Sequence, residues 1–241
     1  MYLYRPVSYF LLLTLLVFPV LMLGHENRIT IHAFVPEVSV SAVHKESVQL
    51  YAALNLHQRG LSRSAFDYAW QGYLRLHQAG RIRKGSVLTI CDYSQSSRNK
   101  RLYVLDIKNQ KIVCQTYVAH GRNSGGEFAH TFSNKPESYK SSLGFFITRQ
   151  TYHGTHGLAL NLEGLERGIN DRAGNRKIVV HGSPYVGRSY LRAKTYTGRS
   201  LGCPAVPARE ARKIISAIEG GTCLFIYHPT RNYFIHSSVL N

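Results

Sequence analysis

Two stretches decide the fold of this chain: Lys177-Ile-Val-Val-His-Gly-Ser-Pro-Tyr-Val186 and Arg199-Ser-Leu-Gly-Cys-Pro-Ala-Val206. The first begins with an apolar, β-branched run that leads to His181, and such runs favour strands. In the second, Cys203 follows a glycine, 22 positions after the histidine. The pattern predicts a strand that ends in a histidine and, separately, a short loop that presents a thiol.

A histidine and a loop cysteine are the groups that thiol-based acyl transfer needs. Cys203 is the predicted nucleophile, and His181 is the base that takes its proton and returns it to a leaving amine. The backbone N–H groups of Gly202 and Cys203 are expected to face the developing oxyanion. A carbonyl must fix the histidine tautomer, and that of Gly182 is the candidate. On spacing alone, a small buried cysteine and an ordinary hydrogen-bonded histidine explain the pattern equally well.

The cysteine box resembles a known family. Ser200-Leu-Gly-Cys203 resembles the Ser-His-Gly-Cys box of the L,D-transpeptidase catalytic domains, with leucine in the second position. The Cys-Pro-Ala-Val continuation and His181-Gly182 resemble the murein L,D-transpeptidase branch. Further segments that resemble this branch, in the same order, are Lys100–Asp106, Val118–Gly125, Phe132–Pro136 and Ser141–Phe146. The resemblance covers about residues 42–228.

The resemblance implies a cysteine-dependent peptidyl transferase with a mainly β (α+β) fold, built as a barrel or sandwich. Its substrates would be peptidoglycan stem peptides, and the acyl acceptor would be an amine of a second stem or a protein lysine. No cofactor is expected. One departure is Ala205, because many transpeptidases of the wider group carry arginine two positions after the cysteine. Arg199 is the expected replacement for that cation.

Four residues are predicted to bind substrate: Ser200, Arg199, Tyr185 and Asn123. Asn123 lies in a glycine-rich loop that, in the resembling family, is close to the active-site face. Tyr185 lies between the two catalytic residues, in a stretch whose arginines are suited to a stem-peptide carboxylate. For Tyr185 the alternative interpretation is solvated surface, and for Asn123 it is a flexible loop without substrate contact.

The chain is strongly basic, with a net charge of +17 and a pI near 9.9. Such a charge favours an acidic polymer or surface. There is no zinc ribbon, RNA-binding aromatic signature or P-loop, so a nucleic-acid partner is not predicted. The spacing of the four cysteines does not match a zinc site, and no metal is predicted. An anionic cell envelope is the expected environment.

The N-terminus predicts export. Arg5 precedes an uncharged apolar stretch over Val7–Leu23, which suits a secretory signal or a single anchor. Residues 1–24 are therefore predicted to be a signal peptide or membrane anchor, and residues 25–41 a linker. The expected location is periplasmic or otherwise extracytoplasmic. If Cys203 stays a free thiol, at most one disulfide can form among Cys91, Cys114 and Cys223. Cys91 and Cys114 could pair if their strands are neighbours, and three reduced thiols are the slightly favoured alternative.

Residues 42–84 are predicted to form a helical hairpin, and residues 85–241 the catalytic domain. One helical period spans Val43–Gly60. A second helix is expected to be capped by Ser64, with Asp67 in the capping-box position and Gly80 at its end. After Gly85 the period changes towards two. Strands are predicted over 86–93, 102–107, 111–119, 144–148, 158–162, 177–181 and 222–227, and a helix over Pro207–Ile218.

Other interpretations remain open. Papain-like proteases place the cysteine before the histidine, and sortases carry a Thr-x-Thr-Cys box that is absent here. With water as acceptor the same chemistry would make an L,D-carboxypeptidase. A catalytically silent, cationic envelope-binding module is the alternative outside enzymology.

Overall fold

The computed structural model describes residues 40–155 and 157–241. The predicted signal or anchor at 1–24 and nearly all of the predicted linker at 25–41 lie outside these residues. The described helices are α1 Val40–Ala53, α2 Arg63–Gln78, α3 Arg188–Ala193, α4 Ala208–Ile218 and α5 Arg231–His236. The described strands are β1 Val87–Asp92, β2 Leu102–Asp106, β3 Lys111–Thr116, β4 Gly144–Gly154, β5 Gly157–Gly164, β6 Val179–Ser183, β7 Ala205–Pro207 and β8 Cys223–Tyr227. None of the described helices is long and apolar enough to cross a bilayer.

The strands form one mixed sheet in the order β3-β2-β1-β8-β4-β5-β6-β7. The pairs β1–β8 and β6–β7 are parallel, and the other neighbours are antiparallel. Just after β3, the Ala119 N–H donates to the Ala205 carbonyl of β7 at 2.8 Å. This contact joins the two edges of the sheet, which is therefore nearly closed into a barrel. The predicted mainly β (α+β), barrel-like fold class is confirmed.

Two helices pack on the sheet through apolar stripes. Helix α4 buries Ala211, Ile214, Ile215 and Ile218, as its periodicity predicts. Helix α2 packs against β1 and β8, and its Phe66 and Trp70 belong to the same hydrophobic core as the strands. The predicted pair of N-terminal helices therefore shares one core with the sheet.

Several predicted element boundaries are wrong. Strand β6 ends at Ser183, so His181 lies inside the strand and not at its end. Pro207 closes β7 and stands at the N-cap of α4, whereas the sequence suggested the first helical position. Strand β4 continues past the predicted end at residue 148 as far as Gly154, because it pairs with β5 along a hairpin.

The caps of the first two helices also differ from the prediction. Ser62, and not Ser64, caps α2, since its hydroxyl accepts the Ala65 N–H at 3.2 Å. Asp67 accepts hydrogen bonds from the Arg63 side chain instead of completing a capping box. Helix α1 ends at Ala53, before a turn in which Asn55 has a φ of 50°.

The strand order decides whether Cys91 and Cys114 can form a disulfide. Cys91 in β1 pairs with Leu102 of β2, while Cys114 in β3 pairs with Val104 of the same strand. A whole strand separates the two thiols, which is too far for a disulfide. Cys91, Cys114, Cys203 and Cys223 are all free thiols. The alternative of reduced cysteines therefore holds, and the Cys91–Cys114 pairing does not.

Candidate active site

Parallel pairing of β6 and β7 brings the two predicted catalytic residues to one place. His181 is the register partner of Ala205, two residues after Cys203. The Cys203 Sγ lies 3.6 Å from the Lys177 carbonyl oxygen, beside the beginning of β6. The histidine and the thiol thus belong to neighbouring segments of one sheet edge.

The orientation of His181 is fixed by a backbone carbonyl. The imidazole is only 4% exposed, and its Nδ1 lies 3.0 Å from the Gly182 oxygen. A carbonyl can only accept, so Nδ1 carries the proton and the neutral ring keeps Nε2 as an acceptor. The hydrogen bond expected from the sequence is present. Gly182 also packs closely on α4, since a methyl group there would lie 2.8 Å from Ala211 Cβ.

The Cys203 thiol is half-buried and its local charges act in opposite directions. Burial, the largest cause, raises the pKa of Cys203, while the Val179 N–H, the Arg176 charge and the residue's own N–H lower it. Burial prevails, and the pKa lies above the ordinary thiol value. This balance favours the thiol form of Cys203 over the thiolate, so a base beside it would be needed for nucleophilic attack.

The loop before Cys203 is held by its own hydrogen bonds. The Ser200 hydroxyl donates to the Cys203 carbonyl at 2.6 Å and accepts the Gly202 N–H at 3.1 Å. The Gly202 N–H is thus engaged inside the loop, which corrects the expectation that it faces an oxyanion. Ser200 is buried and its hydroxyl is occupied, so its position supports a loop-forming role instead of the predicted substrate contact.

A neighbouring segment, residues 119–124, clamps this loop from the side. Ser200 donates its N–H to the His120 carbonyl at 3.0 Å, and its own carbonyl accepts the Arg122 N–H at 2.7 Å. The buried Ser141 hydroxyl accepts from the Gly121 N–H at 3.0 Å and donates to the Gly202 carbonyl at 3.1 Å. The loop formed by residues 200–203, called the nucleophile loop below, is therefore held by hydrogen bonds at both Ser200 and Gly202.

A sequence profile of the L,D-transpeptidase catalytic domain matches residues 57–227, which include both catalytic candidates and the clamping segment. The chain belongs to this family. Among curated proteins, the comparison found no match.

Similar solved structures are remote in sequence. An L,D-transpeptidase from Mycobacterium smegmatis has 13% identity and a TM-score of 0.36, over 59% of each chain. One from Mycobacterium tuberculosis has 15% identity and a TM-score of 0.36, over 59% of this chain and 58% of that one. The helical cell shape determining protein Pgp2 from Campylobacter jejuni has 12% identity and a TM-score of 0.39, over 67% and 57%. The chain spans about three fifths of the length of these proteins, so the family assignment rests on the sequence profile.

In this L,D-transpeptidase domain, the cation beside Cys203 is Arg176, which the sequence did not predict. Arg176 lowers the pKa of Cys203, and the thiol in turn raises the pKa of Arg176, which burial lowers. Arg199, the predicted cation, donates instead to the carbonyls of Arg122 and Gly125 at 3.3 and 3.2 Å. The only signal for Arg176 in the sequence is its place just before the apolar run of β6.

Tyr185 and Asn123 occupy different situations. Tyr185 packs against a small apolar cluster that includes Ala119 and Ala205, two residues after Cys203, and burial is the chief cause that raises its pKa. Asn123 is exposed, but its amide donates to the Ser138 carbonyl at 2.9 Å and braces the adjoining loop. The structure therefore brings Tyr185 to the site, while Asn123 has a bracing role.

A second histidine near the loop is buried and neutral. Arg101 is fully buried and donates to the His120 Nδ1 at 2.8 Å, to the Val118 carbonyl and to the Gln95 carbonyl. Burial lowers the pKa of Arg101 to about 10, and burial together with Arg101 lowers the pKa of His120 to about 3. His120 is thus a hydrogen-bond acceptor for a buried cation and not a second catalytic base.

A cationic cavity adjoins the nucleophile loop. It encloses about 470 Å³ and is lined by Arg122, Tyr190, Lys194, Thr195, Tyr196, Thr197, Gly198 and Arg199. No acidic residue belongs to this described lining, so the cavity is suited to an anionic group.

Within residues 40–155 and 157–241, no group of three or more His, Cys, Asp or Glu side chains is arranged to hold a metal ion.

Proposed function

We propose that this protein is an exported peptidoglycan L,D-transpeptidase. In this proposal Cys203 forms a thioester with a stem peptide and passes the acyl group to an amine of a second stem or of a protein lysine. One observation carries the proposal: His181 lies on β6, which pairs with β7 just after Cys203, and its Nδ1 is held by the Gly182 carbonyl. The family profile over residues 57–227 supports the same reaction class.

The first half of the reaction is acylation. Because the resting thiol is neutral, His181 Nε2 takes the proton as Sγ attacks the carbonyl carbon of the third stem residue. The Cys203 N–H is the remaining predicted donor to the oxyanion, since that of Gly202 is occupied. When the intermediate collapses, the carbon–nitrogen bond breaks and His181 returns the proton to the departing D-amino acid.

The second half repeats these steps with a new nucleophile. The acceptor amine attacks the thioester carbonyl, His181 removes a proton from that amine, and the carbon–sulfur bond breaks. His181 then protonates the thiolate, which restores the resting enzyme. No cofactor enters either half-reaction.

The cationic cavity is proposed to hold a carboxylate of a stem peptide. Arg199 and Lys194 supply charge there, and Arg199 is joined to the nucleophile loop through Ser200. Tyr185, which packs against the cluster that includes Ala205, is proposed to contact the bound peptide. The chain's net charge of +17 favours the approach of such an anionic polymer.

Export and an extracytoplasmic location belong to this proposal and rest on the apolar stretch over Val7–Leu23. Cell fractionation tests them, with the full-length chain expected in the membrane or the extracytoplasmic fraction. Its recovery solely from the cytosol would contradict export.

The reaction is tested by incubating the full chain with disaccharide-tetrapeptide muropeptides and recording intact-protein and product mass spectra. A thioester adduct on Cys203 with release of the terminal D-amino acid is expected, together with cross-linked dimers. Cys203→Ala should abolish the adduct, whereas Cys114→Ala, which removes another half-buried thiol, should not. Trimmed tripeptides without dimers would indicate a carboxypeptidase. No adduct from a protein whose Cys203 still alkylates would overturn the proposal.

A further inference from the structure

Arg176 is a half-buried cation without an acidic partner. It lies in the turn before β6, and none of the ion pairs in the described part of the chain includes it. Its guanidinium donates instead to neutral oxygens, which are Ser133 O at 2.7 Å, Ser142 Oγ at 2.5 Å, Ser138 Oγ at 3.3 Å and Lys140 O at 2.5 Å. A cation removed from water without a counter-ion is costly, so its retention calls for a reason.

The guanidinium lies against the nucleophile loop. A methyl group placed on Gly202 would be 3.2 Å from Arg176 Nη2 and 2.8 Å from the Lys140 oxygen to which that Nη2 donates. On the other side, the Cys203 Sγ contacts the carbonyl of Lys177, the residue that follows Arg176. The positive charge and the sulfur are therefore neighbours across a single turn.

The thiol is the acidic group that responds to this charge. Arg176 is one of the causes that lower the pKa of Cys203, and Cys203 is the one group that raises the pKa of Arg176. A positive charge beside a sulfur stabilises that sulfur only when it carries negative charge. In an acyl-transfer cycle, the sulfur becomes negative in two steps, which are thiol deprotonation and thioester breakdown.

We propose that Arg176 is the positioning residue of the nucleophile, holding the Gly202–Cys203 loop and stabilising the negative charge that develops on Cys203 Sγ. The inference rests on the proposed function for its role in catalysis, though not for its effect on the thiol. Arg176 thereby supplies the cation for which Ala205 leaves no side chain, from the turn before β6 and not from the cysteine loop.

The test compares three variants that separate charge from hydrogen bonding. Arg176→Lys keeps the charge, Arg176→Gln keeps hydrogen-bond donors without charge, and Arg176→Met keeps neither. Arg172→Met is the matched control, because Arg172 is an exposed arginine of the same turn and its loss changes the net charge equally. All are made in a Cys114→Ala background, which leaves Cys203 as the accessible thiol beside the fully buried Cys91 and Cys223.

The measurement is the rate of iodoacetamide alkylation of Cys203 against pH, followed by mass spectrometry, with thermal unfolding as a check on the fold. The Gln and Met variants are expected to move the midpoint upward by about one pH unit, which makes alkylation about tenfold slower at pH 7. The Lys variant should stay near the parent midpoint, and Arg172→Met should match it.

Equal midpoints for the Gln and Lys variants would overturn the proposal, since a purely structural arginine would affect both alike. Failure of all three variants to fold would also overturn it, by showing a structural residue. Alkylation of Cys203 needs no peptidoglycan, so it tests the role of Arg176 independently of the proposed transpeptidase reaction. If the midpoints shift as expected while muropeptides give no adduct, Arg176 keeps its role and the proposed transpeptidase reaction falls.

Discussion

At the scale of single residues, the proposed site is organised around a thiol whose pKa is raised. Burial raises the pKa of Cys203 above the level that Arg176 and two backbone N–H groups would set. In the proposed reaction, removal of the thiol proton by His181 is therefore part of the attack. The Gly182 carbonyl gives His181 the tautomer that this step requires.

Replacing His181 tests whether this residue removes the proton from Cys203. His181→Gln should slow Cys203 acylation at pH 7 by about 100- to 10,000-fold, the usual contribution of a general base. Because the thiol pKa is raised, the deficit should shrink as pH increases and hydroxide takes over deprotonation. Acylation rates measured by mass spectrometry from pH 6 to 10 follow this trend. His153→Gln, at the exposed end of β4, is the control, and a deficit independent of pH would contradict the assignment.

A second residue-scale prediction concerns Gly202. Its φ of 126° is unfavourable for other residues, and a methyl group there would lie 2.8 Å from the Lys140 carbonyl. Gly202→Ala should displace Cys203 and lower the acylation rate at least about 100-fold, as small misplacements do, with a modest loss of thermal stability. Gly220→Ala is the control for backbone strain alone, since its φ is 87° and no atom lies within 4 Å. Wild-type acylation by Gly202→Ala would refute the argument.

At the scale of elements, strand pairing brings the candidate active-site residues together. β6 carries His181, and β7 begins two residues after Cys203, so their parallel register fixes the separation of the two residues. The segment around His120 then closes the sheet edge by binding the loop at Ser200 and Ala205. Arg101, buried beneath this segment, holds its backbone through the Val118 carbonyl.

The Arg101–His120 contact predicts a pH-dependent stability. The pKa of His120 falls from 6.5 to about 3 in the folded protein, so between these values the unfolded chain binds a proton that the folded chain does not. Stability from this group is complete above pH 6.5 and is lost as the pH falls towards 3, at up to about 1.4 kcal/mol per pH unit. His120→Asn keeps an acceptor for Arg101 and removes the titration. Denaturant unfolding from pH 4 to 7 should give a shallower pH slope for the variant, and parallel slopes would refute the prediction.

Sequence periodicity revealed most elements of this fold but not its short ones. The strands β1, β2 and β8 and the stripe of α4 were recoverable because their apolar residues repeat at the period of the element. β7 has three residues and α3 and α5 have six each, too few to display a period. The predicted cap of α2, Ser64, is wrong by two residues, because the hydrogen bond that makes Ser62 the cap depends on where the helix begins in the folded chain.

At the scale of the whole molecule, the predicted site residues lie within local sequence motifs. The residues that were not predicted depend on contacts that form only in the folded chain. Cys203, His181 and the Gly182 carbonyl are close in sequence to recognisable motifs. Arg176 acts through hydrogen bonds to residues 133–142, which are distant in the chain and come near only when the sheet closes. The hydrogen bond from the Gly202 N–H to the Ser200 hydroxyl was likewise not predicted, because it depends on the conformation of the loop.

The shared core of helices and sheet predicts where the folding unit begins. A chain that starts at residue 85, the predicted start of the catalytic domain, lacks Phe66 and Trp70, which are at most 3% exposed in a core that includes β1 and β8. Burying such side chains stabilises a fold by about 1.5–3 kcal/mol each, against a typical total of about 5–15 kcal/mol. The family profile also begins before this point, at residue 57.

We therefore expect residues 38–241 to unfold in one cooperative thermal transition and residues 85–241 to be insoluble or to melt without cooperativity. Circular dichroism against temperature measures both. Trp70→Ala in the longer chain provides a graded control, with an expected loss of about 3–5 kcal/mol from the cavity that it creates. If residues 85–241 melt cooperatively at the temperature of the longer chain, the helical hairpin is an appendage and the sheet is stable without it.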